Sequence, residues 1–287
     1  MKTKITNIST ICTWSPAEGK LVILSDVEIL VEDSTIIQIS KTVGGAEEEI
    51  DADGALITPG FVDSHTHPIF SGNRANEFGM RVSGKSYEEI ASMGGGIISS
   101  INGVRNASEE QLLEECLERI NFFLVHGTTT IEAKSGYGLT IEDELKSLRV
   151  IKRLNESSPL DIIPTFMGAH AFPPEFKNDH QGYVRLICEE MIPVVAEENL
   201  AEFCDVFCEN GYFSLDDSRE ILETAKEYGL KPRLHADEFV DSGAAGLSAE
   251  VGAISADHLM AVSDEGIQKM AESGVIATLL PGTTLFL

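Results

Sequence analysis

His65 and His67 stand two residues apart at the end of the apolar run Leu56-Ile57-Thr58-Pro59-Gly60-Phe61-Val62-Asp63-Ser64-His65-Thr66-His67-Pro68. In a strand, residues at i and i+2 project from the same face, so both imidazoles can reach one ion while Thr66 points away. Imidazole nitrogen suits zinc, iron, nickel or copper, and further ligands must then come from elsewhere in the chain. A His-x-His pair alone is short and common, and two histidines hydrogen-bonding at a strand end would explain it. The flanking Pro59-Gly60, the acidic Asp63 and the remote Leu234-His235-Ala236-Asp237-Glu238 turn the reading towards metal.

Residues so far apart need a scaffold that returns them to one place. The first fifty-odd residues alternate like strands, at 21–24, 27–31 and 36–39, with a turn at Glu32-Asp33-Ser34, and suggest a small antiparallel sheet. From Leu56 the texture changes to short apolar runs alternating with capped amphipathic helices. Ser108 with Gln111 reads as a capping box and Gly127 as the stop; Thr140 with Asp143 and Ser214 with Asp217 repeat the start signal less strictly, and Gly229 ends the last of these helices. Strand candidates fall at 56–64, 128–133, 161–167, 203–209, 231–236, 253–257 and 275–280. Strands alternating with helices mean right-handed βαβ units and a parallel sheet. The fold class expected is therefore α/β, a TIM-like barrel over residues 56–287 behind a small β-sheet domain over 1–55.

Barrel active sites lie at the carboxyl ends of the strands, and the polar residues fall there. His65 and His67 end the first strand, Lys134-Ser135-Gly136-Tyr137-Gly138 follows the second, and Gly168-Ala169-His170 the third. Glu209-Asn210-Gly211-Tyr212 follows the fourth, His235 and Glu238 the fifth, and Asp257-His258 the sixth. His170 or His258 alone would read as a satisfied core histidine; six strand ends in succession read as a site. The run Met93-Gly94-Gly95-Gly96 lacks the Lys-Ser/Thr of a phosphate cradle and opens no clear helix, so it reads as a loop near that site.

Composition narrows the partners. The 287 residues carry 47 acidic and 21 basic side chains, a formal charge of −26, which argues against nucleic acid and anionic membrane. An anionic small molecule is not forbidden, because charges beyond roughly 8 Å are screened at physiological salt and a local arginine can dominate. No apolar run reaches the length of a membrane span. Cys12, Cys116, Cys188, Cys204 and Cys208 are odd in number and scattered, with no leader before Ile5, and read as free thiols in a reducing, cytoplasmic setting.

Together, the stretches 59–68, Lys134-Ser135-Gly136-Tyr137-Gly138, Met167-Gly168-Ala169-His170 and Leu234-His235-Ala236-Asp237-Glu238-Phe239 resemble the imidazolonepropionase family of the amidohydrolase superfamily, from about residue 20 to the end. The resemblance implies hydrolysis of the cyclic amide of 4-imidazolone-5-propanoate to N-formimidoyl-L-glutamate in histidine degradation, with one zinc or iron ion. By motif, His65, His67 and His235 resemble the metal ligands, and Arg74, Tyr137 and His170 the substrate contacts. Glu238 resembles the substrate-binding acid, and His258 a histidine that assists proton movement; from its position three residues past His235, Glu238 could also carry a proton to the leaving ring nitrogen. Arg74 would offer a planar fork to the carboxylate tail of the small-molecule substrate. Two-metal relatives often bridge their ions with a carbamylated lysine on strand four; the run 203–209 offers none, which favours one metal. The family pattern continues through an eighth strand with a metal-binding aspartate and completes a composite β-sandwich with the small domain. Because Pro281-Gly282-Thr283-Thr284-Leu285-Phe286-Leu287 follows directly on strand seven, the chain reads as C-terminally truncated, and residues 1–287 alone are expected to aggregate or turn over negligibly. A metal-dependent ring deaminase and an inactive barrel scaffold are the alternatives, and a homodimer is one assembly open to it.

Overall fold

The computed structural model describes residues 1–85, 89, 93 and 95–286. The chain divides into two compact units, Met1–Phe61 and Val62–Leu287, slightly beyond the expected division at 55/56.

The first unit holds β1 (Lys2–Thr6), β2 (Thr10–Ser15), β3 (Lys20–Leu24), β4 (Glu28–Glu32), β5 (Thr35–Ser40), β6 (Glu48–Asp51) and β7 (Leu56–Ile57). They form two sheets, ordered β5-β4-β1-β6 and β3-β2-β7, where a single one was expected. The β4–β5 hairpin turns as expected through Asp33, whose φ of 54° lies in the left-handed region that Asp tolerates. Asp26, at φ 52°, turns the chain between β3 and β4, and β3 pairs with β2 rather than β4. Ile8, Ile11 and Ile29 are the buried centre of this unit.

In the second unit, β8 (Phe61–Thr66), β9 (Thr128–Lys134), β10 (Asp161–Ala169), β11 (Phe203–Cys208), β12 (Lys231–Ala236), β13 (Ser255–His258) and β14 (Ile276–Thr278) lie side by side in chain order. The pairs from β9 to β14 are parallel. The expected strand at 56–64 is split, because Pro59 has no N–H for a ladder and Gly60 follows it. Contacts between strands that are not neighbours show that the sheet curls: His65 on β8 meets Asp257 on β13 at 2.7 Å, and Lys134 on β9 meets Asp205 on β11 at 2.7 Å. The helices pack apolar stripes on the outer face; Ile141–Ser157 buries Leu145, Leu148, Ile151 and Leu154 at helical spacing. This is seven strands of a TIM-like barrel.

Helix starts follow the expected caps with one exchange. The reciprocal box forms at Ser214, whose hydroxyl accepts the Asp217 N–H at 3.1 Å while Asp217 Oδ2 accepts the Ser214 N–H at 3.1 Å, opening Leu215–Glu227. Ser108 accepts from the Gln111 N–H at 3.2 Å, but the Gln111 amide turns to Glu115 instead of back to the cap. Replacing Ser214 with Ala should lower stability by about 1 kcal/mol, within the usual 0.5–2 kcal/mol for a lost cap; an unchanged thermal melt would show that the box carries no stability.

One expectation is corrected. Gly96 opens the helix Ile97–Asn106 at φ 71°, a start without any Ser, Thr or Asp to mark it; Gly94 of the same run lies outside the described residues. The tail after β14 forms a short helix, Pro281–Phe286, for which the fixed φ of Pro281 is suited; Leu287 lies outside the described residues.

Candidate active site and metal centre

The end of β8 and the body of β12 bring three imidazoles together. His67 Nε2 lies 3.3 Å from His65 Nε2 and 3.3 Å from His235 Nε2. The opposite ring nitrogens are oriented by carboxylates: His65 Nδ1 meets Asp257 Oδ2 at 2.7 Å, and His235 Nδ1 meets Asp205 Oδ1 at 3.0 Å. A carboxylate accepts, so each Nδ1 carries the proton and each Nε2 turns a lone pair to the centre. Burial, followed by the neighbouring His170, His65 and His235, holds His67 well below the ordinary histidine range. Burial, followed by His65 and His258, does the same for His235. Neutral lone pairs aimed at one another are repulsive unless a cation sits among them. Nitrogens sharing one tetrahedral ion at ~2.0–2.1 Å stand roughly 3.3 Å apart, so these donors fit a single metal.

His258 brings a ring nitrogen into a second grouping, within 4.8 Å of those of His65 and His235. It holds an unusual backbone, φ 74°, a left-handed conformation that costs on the order of 1–3 kcal/mol for a non-glycine residue. Its Nδ1 lies 3.4 Å from Glu238 Oε1. Burial, then the neighbouring Glu209 carboxylate, push Glu238 up to about 7, and burial brings His258 down to about 4.

These groups open into a cavity of about 910 Å³ that also carries Arg74, Tyr137, His170, Phe207 and Tyr212 on its wall. All eight residues singled out in the sequence therefore line one cavity. Arg74 stands at the start of the helix Ala75–Val82, its Nη2 2.8 Å from Glu77 Oε2. Tyr137 and His170 lie with ring centres 5.1 Å apart, and His170 stacks on His67 at 5.0 Å. The loop behind Tyr137 is clamped by the buried Glu144 carboxylate, which accepts the N–H groups of Gly136, Gly138 and Leu139. A side chain at Gly138 would press on the backbone of Asp143 and Glu144, which is why glycine stands there.

Beneath the histidines lies a layer of which the strand-end reading named only Lys134 and Asp257, and missed Glu132, Asp205 and Arg233. Lys134, fully buried, donates to Glu132 Oε1 and to Asp205 Oδ2, each at 2.7 Å. Arg233 donates to Asp257 Oδ2 at 2.9 Å and to the Ser64 carbonyl at 2.7 Å. Burial works against the charge on Lys134, but Asp205 and Glu132 outweigh it and hold the group above the ordinary lysine range. The available signal was period-two charge inside apolar strands: Glu132 with Lys134, and Arg233 with His235. All five cysteines are free, and Cys204 and Cys208 are buried on β11.

A curled sheet of parallel strands with a histidine cluster at their carboxyl ends defines an amidohydrolase-type barrel. Solved structures agree on the fold. A 5-methylcytosine deaminase from Klebsiella pneumoniae superposes with a TM-score of 0.68 at 16% identity, over 96% of this chain and 65% of that one. A guanine deaminase from C. acetobutylicum gives 0.64 at 14% identity, over 98% and 68%. No family model matches the chain. Among curated proteins it is 56% identical over 243 residues to the imidazolonepropionase of Shouchella clausii, covering 85% of this chain and 54% of that protein. It is 48% identical over 301 residues to that of Clostridium tetani, covering 99% and 71%, and 50% identical to that of Brevibacillus brevis, covering 95% and 68%. The chain belongs to the imidazolonepropionase family. It spans 54% of the length of the Shouchella clausii protein and 57% of that of two imidazolonepropionases from Geobacillus. Among the described residues no helix is long and apolar enough to cross a membrane.

Proposed function

We propose that the chain carries the site for hydrolysis of the cyclic amide C–N bond of 4-imidazolone-5-propanoate to N-formimidoyl-L-glutamate. The observation that carries this reading is the convergence of His65 and His235 on His67, each at 3.3 Å, in a cavity that Arg74 also lines. These three histidines would hold one zinc or iron ion, which when bound lowers the pKa of water and polarises a carbonyl.

The chain's own groups supply the rest. Water adds to the ring carbonyl carbon, the carbonyl–nitrogen bond breaks, and the departing nitrogen takes a proton. Glu238, held near 7, can accept a proton from the water and return it to that nitrogen. His258, 3.4 Å from Glu238, assists that movement. Arg74 receives the propionate tail, with Tyr137 and His170 flanking the ring. The free cysteines support a reducing, cytoplasmic setting.

Because the chain spans little more than half of several relatives, turnover is best measured on the chain extended to their length. That protein, loaded with zinc or iron, should open the imidazolone ring; ring binding without turnover would instead support a scaffold. Arg74→Lys keeps the charge but loses the planar fork, so KM should rise about tenfold with kcat little changed. Unaltered KM in that variant would remove Arg74 from the carboxylate site.

A further inference from the structure

We propose that Lys134 is a positioning residue of the metal centre: its ammonium fixes the Asp205 carboxylate that in turn orients His235. The inference rests on the reading of His65, His67 and His235 as ligands and goes beyond it, since the partners of the Lys134 ammonium are carboxylates and not the ligand rings: Glu132 and Asp205, with Asp257 Oδ2 at 3.8 Å.

The geometry is a relay of fixed contacts. Asp205 Oδ2 takes the Lys134 ammonium at 2.7 Å, and Asp205 Oδ1 takes both the His235 backbone N–H at 3.1 Å and its ring Nδ1 at 3.0 Å. With one oxygen held by β9 and the other by β12, the carboxylate has a single rotamer, and so has the His235 ring. The second cation repeats the pattern on the other side, where Arg233 holds Asp257 and Asp257 holds His65. Lys134, Asp205 and Asp257 are fully buried, so no water replaces a lost partner. A lone ammonium in the interior of a barrel would be costly; one that bridges two strands and aims a metal-binding ring has a use that repays its burial.

The test is zinc affinity, measured on the chain extended to the length of its relatives by competition with a chromophoric chelator, together with the visible spectrum of the cobalt-loaded protein. Lys134→Met should raise the zinc dissociation constant 10–100-fold, the usual loss for an outer-shell partner, and should change the cobalt bands. Glu132→Gln, which leaves Lys134 on Asp205, should stay within about threefold of the unchanged chain. If Lys134→Met fails to fold, the double variant Lys134→Met/Glu132→Gln removes one charge of each sign and should show the same loss. A purely structural lysine would lower the melting temperature of the metal-free protein while leaving zinc affinity and the cobalt spectrum of the folded variant unchanged, and that result overturns the proposal. An unchanged chain that binds no zinc or cobalt would instead overturn the reading of the histidines as ligands, and the proposal with it.

Discussion

Replacing His235 with Ala is expected to abolish stoichiometric zinc, a larger effect than the 10–100-fold that loss of an outer-shell partner causes. The reason is geometric: His67 Nε2 lies 3.3 Å from the Nε2 of both His235 and His65, and two imidazoles remain after His235 is removed. The fold should survive, because Asp205 keeps both the backbone N–H of residue 235 and the Lys134 ammonium. Metal content after dialysis against trace zinc, with a thermal melt as control, measures this. Full zinc in a folded His235→Ala chain would sink the assignment. Parallel variants at His67 and His258 distinguish the two triads: loss at His67 with retention at His258 supports the 3.3 Å set, and the reverse supports the wider one.

Glu238→Gln should lower kcat by roughly 10²–10⁴, the range for a removed general acid–base. The substitution also tests a pH dependence with a definite sign. Burial and the neighbouring Glu209 push the Glu238 carboxyl up to about 7. To accept a proton it must be the carboxylate, so kcat/KM should be full above that pH and fall about tenfold per unit below it. Glutamine does not titrate, and the acid limb should vanish with the rate. A variant that keeps both the rate and the limb would show that another group moves the proton. His258, down at about 4, is neutral through this range and does not contribute the limb.

The local patterns that the sequence displays are those with short-range physical causes. Period two placed His65 and His67 on one face; Ser, Thr and Gly punctuation marked the helices Glu109–Val125, Ile141–Ser157 and Leu215–Glu227; and seven apolar runs marked the barrel strands. Arg74, Tyr137, His170, Glu238 and His258 were legible as strand-end or loop groups, or by motif, and all line one cavity. The sheet partner of β3 was not legible, because it depended on a turn at Asp26 rather than on strand pattern. Nor was the helix start at Gly96, which has no polar cap to announce it.

The layer under the histidines shows the limit most clearly. Lys134 and Asp257 read in the sequence as strand-end groups, whereas Glu132, Asp205 and Arg233 read as charges interrupting strands, and charges normally mean a solvated face. Their burial is tolerable only because opposite charges meet within hydrogen-bonding distance, from β9 and β11 through the curl of the sheet and from the neighbouring β12 and β13 directly. Residue types and spacing thus determined which side chains could bind a metal. Which nitrogen each ring presents was decided by tertiary structure, since the carboxylate that orients His65 lies 192 residues away and meets it only across the barrel interior.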